Sequence, residues 1–251
     1  MERYAEIISP NGILRGMVYL PFKNKKKIPF VIMCHGFTGS RTESMFLFVR
    51  LSRFLEKKGI GSIRFDFYGS GESDGTFDKM TFSGECKDLT SVFSFIKKEN
   101  FHCNGDLFLL GLSMGGAVVS VTAPKLSNSK GIILLNPASN MSEIAEERKI
   151  SAKKVKKGWD WFGLKLGHEF VKDLKTKNIL EESKGYNGSV LLVVSTEDKS
   201  VPPEWSLKYR DVYKNIDVIK LKDADHTFMN LKHRESLEKI ISSWILKKIK
   251  S

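Results

Sequence analysis

Cysteine is scarce in this chain. Cys34, Cys86 and Cys103 make an odd number and lack the close pairing of a metal site. A reduced, cytoplasmic setting is therefore expected rather than a disulfide framework. Long apolar runs are missing too. No stretch reaches the roughly 20 residues that span a bilayer, and residues 1–10 have no apolar centre of the kind a secretion signal needs. Acidic residues are few beside basic ones, 29 against 41, which leaves a formal charge of +12. That balance would suit nucleic acid or anionic lipid if the lysines formed a stripe. They fall instead in three separate places, Lys23–Lys27, Lys153–Lys157 and Lys247–Lys250, with no recognition motif beside them. A solvated surface and no nucleic-acid partner are expected. There are no internal repeats.

What is present suffices for one full core. With 41% hydrophobic residues over 251 positions, the chain can form a single domain carrying a small insertion. Its centre is the stretch from Asp106 to Val119, where an unbroken apolar run meets Ser113 between glycines and then turns helical. This reads as strand, sharp turn, helix. Such a turn strains the serine backbone and lifts its hydroxyl off the sheet, while Gly111, Gly115 and Gly116 make room for the crossing helix.

Strands and helices alternate around that centre. Residues 3–9 and 13–20 read as a hairpin about a Ser-Pro-Asn-Gly turn, buried strands are expected at 30–34 and 131–136, and further strands at 61–67, 189–195 and 217–221. Helices are expected over 45–58, 83–98, from about 203, and 234–248. This is the pattern of a parallel sheet with helices on both faces. Residues 137–188 break it with charged helical segments and the aromatics Trp159, Trp161 and Phe162, and read as an inserted cap or lid between core segments 1–136 and 189–251. The three aromatics suit an apolar inner face that contacts substrate, and equally the packing of the insert itself.

In open parallel sheets functional groups gather at the carboxyl ends of strands. One late strand end delivers Glu197 and Asp198, and the next delivers Asp223, Asp225 and His226. A serine hydroxyl needs a base, and the base needs an acid to orient it. Of the five histidines only His226 follows a late strand; His35, His102, His168 and His233 sit in loops, connectors or the insert. Asp198 is preferred over Asp225, whose side chain diverges from its neighbour in an extended loop, with Asp223 and Glu197 left as rivals. Oxyanion donors would be the backbone N–H groups of Met114, just after the serine, and Phe37, in the loop after residues 30–34. Asp66 and Asp74 are read as loop-shaping residues.

His35-Gly36-Phe37-Thr38-Gly39, Asp66 with Gly69-Ser70-Gly71-Glu72-Ser73, Gly111-Leu112-Ser113-Met114-Gly115-Gly116, Asp198 and His226 together resemble the α/β-hydrolase superfamily. Within it, the chain is similar to bacterial carboxylesterases of the cinnamoyl (feruloyl) type, although Met114 stands where those often carry glutamine. The resemblance implies a mostly parallel eight-stranded sheet, no metal and no organic cofactor. It further implies a serine carboxylesterase acting on a small-molecule ester, hydroxycinnamoyl or short-chain, through an acyl-enzyme. Monoacylglycerol lipases, thioesterases and serine peptidases would use the same residues, and a non-catalytic binding protein is the remote alternative. Whether the chain forms a homo-oligomer stays open.

Overall fold

A turn at Pro10-Asn11 closes a hairpin between β1 (Glu2–Ser9) and β2 (Gly12–Tyr19), paired in register along its full length. The structure is a computed structural model that describes residues 1–21, 28–99, 106–127 and 129–250. The lysine cluster Lys23–Lys27, His102 and Cys103 lie outside the described residues. After the hairpin come β3 (Phe30–Cys34), α1 (Leu47–Lys57), β4 (Gly61–Phe65), α2 (Phe82–Lys98), β5 (Leu107–Leu112), α3 (Met114–Thr122) and β6 (Ser129–Leu135).

Between β6 and the next sheet strand lie α4 (Met141–Ser151), β7 (Lys153–Val155), β8 (Gly158–Trp161), β9 (Leu164–Gly167), α5 (His168–Lys175) and α6 (Ile179–Glu182). The chain then closes with β10 (Ser189–Ser195), α7 (Pro203–Leu207), β11 (Ile216–Leu221) and α8 (Leu231–Lys248).

The main sheet has eight strands in the order β1-β2-β4-β3-β5-β6-β10-β11. Its six strands from β4 to β11 are parallel, and the opening hairpin joins antiparallel to β4. Every residue of β3, β4 and β5 is buried, and β3 and β5 accordingly read as continuous apolar runs, whereas β4 buries Ser62 and Arg64 as well. The two faces nevertheless separate by parity. Val31 and Met33 pack with Leu51 of α1 and Ile241 of α8, whereas Phe30, Ile32 and Cys34 pack with Leu89 of α2 and Val118 of α3.

The segment between β6 and β10 differs from the helical expectation. It contains α4, α5 and α6, and also an antiparallel sheet of β7, β8 and β9. Strands of three or four residues are too short to carry a recognisable period, and flanking lysines mask the alternation of Trp159 with Trp161 and Leu164 with Leu166. This segment is fastened to the rest of the molecule at several points. Lys165 pairs with Asp78 at 3.2 Å, Gly167 packs so closely on the Asp78 carbonyl that a Cβ would collide, and Asp173 of α5 accepts from the backbone and hydroxyl of Ser83, each at 2.7 Å.

Candidate active site

Ser113 occupies the one-residue turn between β5 and α3 with φ 56° and ψ −120°, a conformation that costs a non-glycine residue of order 1–3 kcal/mol. The surroundings hold it there. Its N–H donates to the Leu135 carbonyl at 2.9 Å, and its own carbonyl accepts from Gly116, Ala117 and Ala138 at 3.0–3.2 Å. A Cβ at Gly111 would strike the Gly115 carbonyl, and one at Gly115 would strike the Cys34 and His35 carbonyls. The glycines therefore permit the close crossing of α3 over β3 and β5. Met114 sends its side chain into the core, and its backbone N–H lies at the positive end of α3.

The loop after β3 passes close to this serine: a Cβ on Gly36 would stand 3.2 Å from the Cβ of Ser113. Glu43, which sequence reasoning missed, grips that loop. Its Oε1 accepts from the Gly36 N–H at 2.5 Å and its Oε2 from the Ser44 N–H at 3.1 Å. Glu43 sits at φ 56°, ψ 174°, a region almost reserved for glycine. Phe37 follows Gly36 directly, and its ring stacks on Phe170 of α5 at 5.3 Å and tilts against Phe77 at 5.4 Å.

The third element comes from the ends of β10 and β11. His226 Nδ1–H donates to Asp198 Oδ2 at 2.6 Å, while Asp198 Oδ1 accepts from the Ser200 and Val201 N–H groups at 2.8 Å each. Both carboxylate oxygens are thus committed, and the residue is buried. The rival acids do other work. Asp225 accepts from the Thr227 and Met229 N–H groups and shapes the histidine loop, Asp223 turns the chain at φ 58°, and Glu197 is exposed. His35 is buried and structural: Nε2 accepts from the Phe67 N–H at 3.1 Å, so Nδ1 carries the proton and donates to the Gly36 carbonyl at 2.8 Å.

Ser113, His226, Phe37, Glu43, Ser200 and Thr227 line one cavity of about 460 Å³. Trp159, Trp161 and Phe162 do not line it. Trp159 is buried inside the insert against His168, with ring centroids 4.5 Å apart, while Trp161 ends β8 and Phe162 lies in the turn that follows it. The expectation that these three meet substrate is corrected accordingly: local sequence put them in the insert, but the pleat aims one inward and the turn carries another outward.

Two further residues brace the site. Asn136 donates to the His226 carbonyl at 2.8 Å and to Ser195 Oγ at 2.9 Å. Arg234 donates to the Phe228 and Met45 carbonyls at 2.7 Å and to the Ser44 carbonyl at 3.0 Å, joining the histidine loop to the Glu43 loop. Burial, with the neighbouring Arg50, pulls the Arg234 guanidinium below its ordinary pKa. Only the position of Asn136 at a strand end offered a signal in the sequence; Glu43 and Arg234 offered none. Asp66 accepts from the Arg41 guanidinium and from the Arg41 and Glu72 N–H groups, and Asp74 from the Ile13 N–H and Arg15, so both shape loops. Among the described residues no group of three or more His, Cys, Asp or Glu is arranged to hold a metal.

The eight-stranded sheet, with a strained serine at its central strand end and a histidine–aspartate pair beside it, defines an α/β-hydrolase. The chain belongs to the family described as serine aminopeptidase, S33, whose model matches residues 25–226. It is 29% identical over 174 residues to an uncharacterised 31.7 kDa protein of the traX-finO intergenic region of Escherichia coli, covering 63% of this chain. The chain spans about three fifths of that relative's length, 59%. It is also 23% identical to the human mitochondrial palmitoyl-protein thioesterase ABHD10, over 81% of this chain and 69% of the relative. Among solved structures it is similar to Est1E from Butyrivibrio proteoclasticus with ferulic acid bound, at TM-score 0.88 and 28% identity, covering 98% of this chain and 100% of the other. Mouse ABHD10 shares the fold at TM-score 0.78 and 21% identity, with 98% and 99% coverage. No described helix is long and apolar enough to cross a membrane.

Proposed function

We propose that the chain is a serine carboxylesterase acting on small carboxylic esters through an acyl-enzyme intermediate. Ser113 Oγ attacks the ester carbonyl while His226 Nε2 takes its proton, and Asp198 keeps the imidazole in the required tautomer and balances the imidazolium. The backbone N–H groups of Phe37 and Met114 receive the oxyanion. Collapse of the tetrahedral intermediate breaks the C–O bond, and His226 returns the proton to the departing alcohol. Water then repeats the sequence against the acyl-enzyme and frees the acid. The observation that carries this reading is the 2.6 Å bond from His226 to Asp198 at the rim of the cavity that Ser113 enters.

Residues 137–188 would act as the cap, since Phe170 of this segment stacks on Phe37 of the cavity wall. The cavity of about 460 Å³ is of a size for a short-chain or hydroxycinnamoyl ester, and the likeness to Est1E with ferulic acid supports that choice. Free thiols at Cys34 and Cys86 suit a reducing, cytoplasmic setting. The palmitoyl-protein thioesterase relatives favour a second reading, a thioesterase with the same residues.

The test is hydrolysis by wild type and Ser113→Ala across 4-nitrophenyl acetate, butyrate and octanoate, methyl ferulate, an acyl-CoA, a monoacylglycerol and an aminoacyl anilide. Preference for ferulate or short esters, lost in the variant, is the expected result. Preference for the thioester, the monoacylglycerol or the anilide would replace the carboxylesterase reading with the matching one, and no activity on the panel would overturn it.

A further inference from the structure

Phe162 is a poor choice for the place it occupies. It forms, with Gly163, the two-residue turn between β8 and β9, at φ 50° and 84°, and the Gly163 N–H donates to Asp160 Oδ1 at 2.8 Å. Turns with both central residues at positive φ are served by Asn, Asp and Gly, because other side chains crowd the backbone there. A bulky ring at such a position is an outlier. Its exposure is an outlier as well, 90%, the highest of any large apolar side chain among the described residues. The turn between β7 and β8 has one non-glycine residue in the left-handed region, Lys157 at φ 61°. Both turns carry residues that suit what they present to the outside better than they suit the turn. Observed strain of this kind points to function.

What the sheet presents is specific. Leu164, the cross-strand partner of Trp161, is exposed, and the Trp161 ring meets Phe162 edge-on at 5.1 Å. Across residues 153–167 there are five lysines and one aspartate, Asp160, whose carboxylate is spent on the turn. Lys165 pairs with Asp78, which leaves Lys153, Lys154, Lys156 and Lys157, all exposed, along the edge strand and its turn. Neighbouring strand side chains point to opposite faces, so Lys153 and Lys154 flank the edge of β7 from its two sides while Lys156 and Lys157 hold its turn, all within roughly 13 Å along the strand. The Phe162 turn stands at one end of β8 and the Lys156–Lys157 turn at the other, so a surface laid along the small sheet meets both, which suits one that is anionic outside and apolar just beneath.

We propose that the three-stranded sheet of the insert is a docking surface for an anionic lipid bilayer. Phe162 and Leu164 enter the headgroup boundary, and Lys153, Lys154, Lys156 and Lys157 lie over lipid phosphates. Neither component suffices alone, because one aromatic tip or a few surface charges gives only marginal adsorption. The surface is separate from the catalytic cavity but coupled to it in space, since β9 runs directly into α5, whose Phe170 packs on Phe37. The proposal does not depend on which bond the hydrolase cleaves.

The experiment is co-sedimentation of the full chain with phosphatidylcholine vesicles, with and without phosphatidylglycerol. Binding only to the phosphatidylglycerol vesicles, weakened by high salt, is expected. Phe162→Asn should lower that binding about tenfold or more while the protein melts at the same or a higher temperature, because Asn fits the turn. Lys153→Glu combined with Lys154→Glu should lower it similarly. Equal partition to both vesicle types would overturn the proposal, and so would full retention of binding in Phe162→Asn. A single-stranded oligonucleotide that displaces the protein from vesicles, and whose own binding needs Phe162, would reassign the sheet to nucleic acid.

Discussion

Glu43 shows how a single side chain can set the geometry of a backbone donor. Its carboxylate holds the Gly36 N–H at 2.5 Å, one peptide away from the proposed oxyanion donor Phe37. Truncation frees that peptide to rotate. Glu43→Ala should therefore lower kcat roughly ten- to a hundredfold with KM little changed, and Glu43→Gln, whose amide oxygen can still accept, should recover much of the loss. A change confined to KM would assign Glu43 to substrate binding instead. In the proposed reaction Ser113→Ala abolishes labelling by a fluorophosphonate, and labelling that persists would point to another nucleophile. Asp198→Asn keeps the fold but disturbs the imidazole tautomer, so kcat should drop by roughly a thousand- to ten-thousandfold; a fall of only severalfold would return the acid role to Glu197, Asp223 or Asp225.

At the scale of elements, the crossing of α3 over the sheet depends on missing side chains. The Gly111 and Gly115 positions face backbone carbonyls of β3 and α3, which cannot swing aside as a side chain could. Gly115→Ala should cost about 3 kcal/mol or more in urea unfolding, or prevent folding, because overpacking against fixed backbone has no cheap relief. Gly185 is the contrast. A Cβ there meets nothing within 4 Å, and only its φ of 92° resists substitution. Gly185→Ala should cost clearly less, of the order of 1–2 kcal/mol. Equal losses at the two sites would show that the crossing of α3 relaxes around the added methyl at little cost.

For the whole molecule, the buried acids of α2 link stability to pH. Burial, then the charge of Asp88, holds the Glu85 carboxyl well above its ordinary 4.5, and Glu85 Oε2 has no hydrogen-bond partner. Folded Glu85 keeps its proton where the unfolded chain loses it. Its contribution to stability is accordingly complete below pH 4.5 and is lost as pH rises toward the folded value. Thermal melts of wild type and Glu85→Met should diverge from pH 5 upward, with the variant the more stable at alkaline pH; parallel curves would mean that Glu85 ionises freely. Arg234 acts at the same scale by tying the Ser44–Met45 turn to the histidine loop.

The sequence by itself determined the hydrolase fold, because its signals are local. An apolar run that ends in a glycine-flanked serine ahead of a helical pattern reads as a sharp turn, and buried parallel strands such as β3 and β5 show no alternation. Chain order then carried Ser113, Asp198 and His226 to one sheet edge. The tertiary structure decided what local pattern cannot encode. The partner of His226 was settled by which carboxylate the β10 loop turns inward, and the aromatics of the insert were sorted by a pleat too short to read. Glu43, Asn136 and Arg234 work through hydrogen bonds to backbone, so their roles leave no motif. Arg234 reaches Ser44 and Met45 across roughly 190 positions of chain, a closeness that only packing creates.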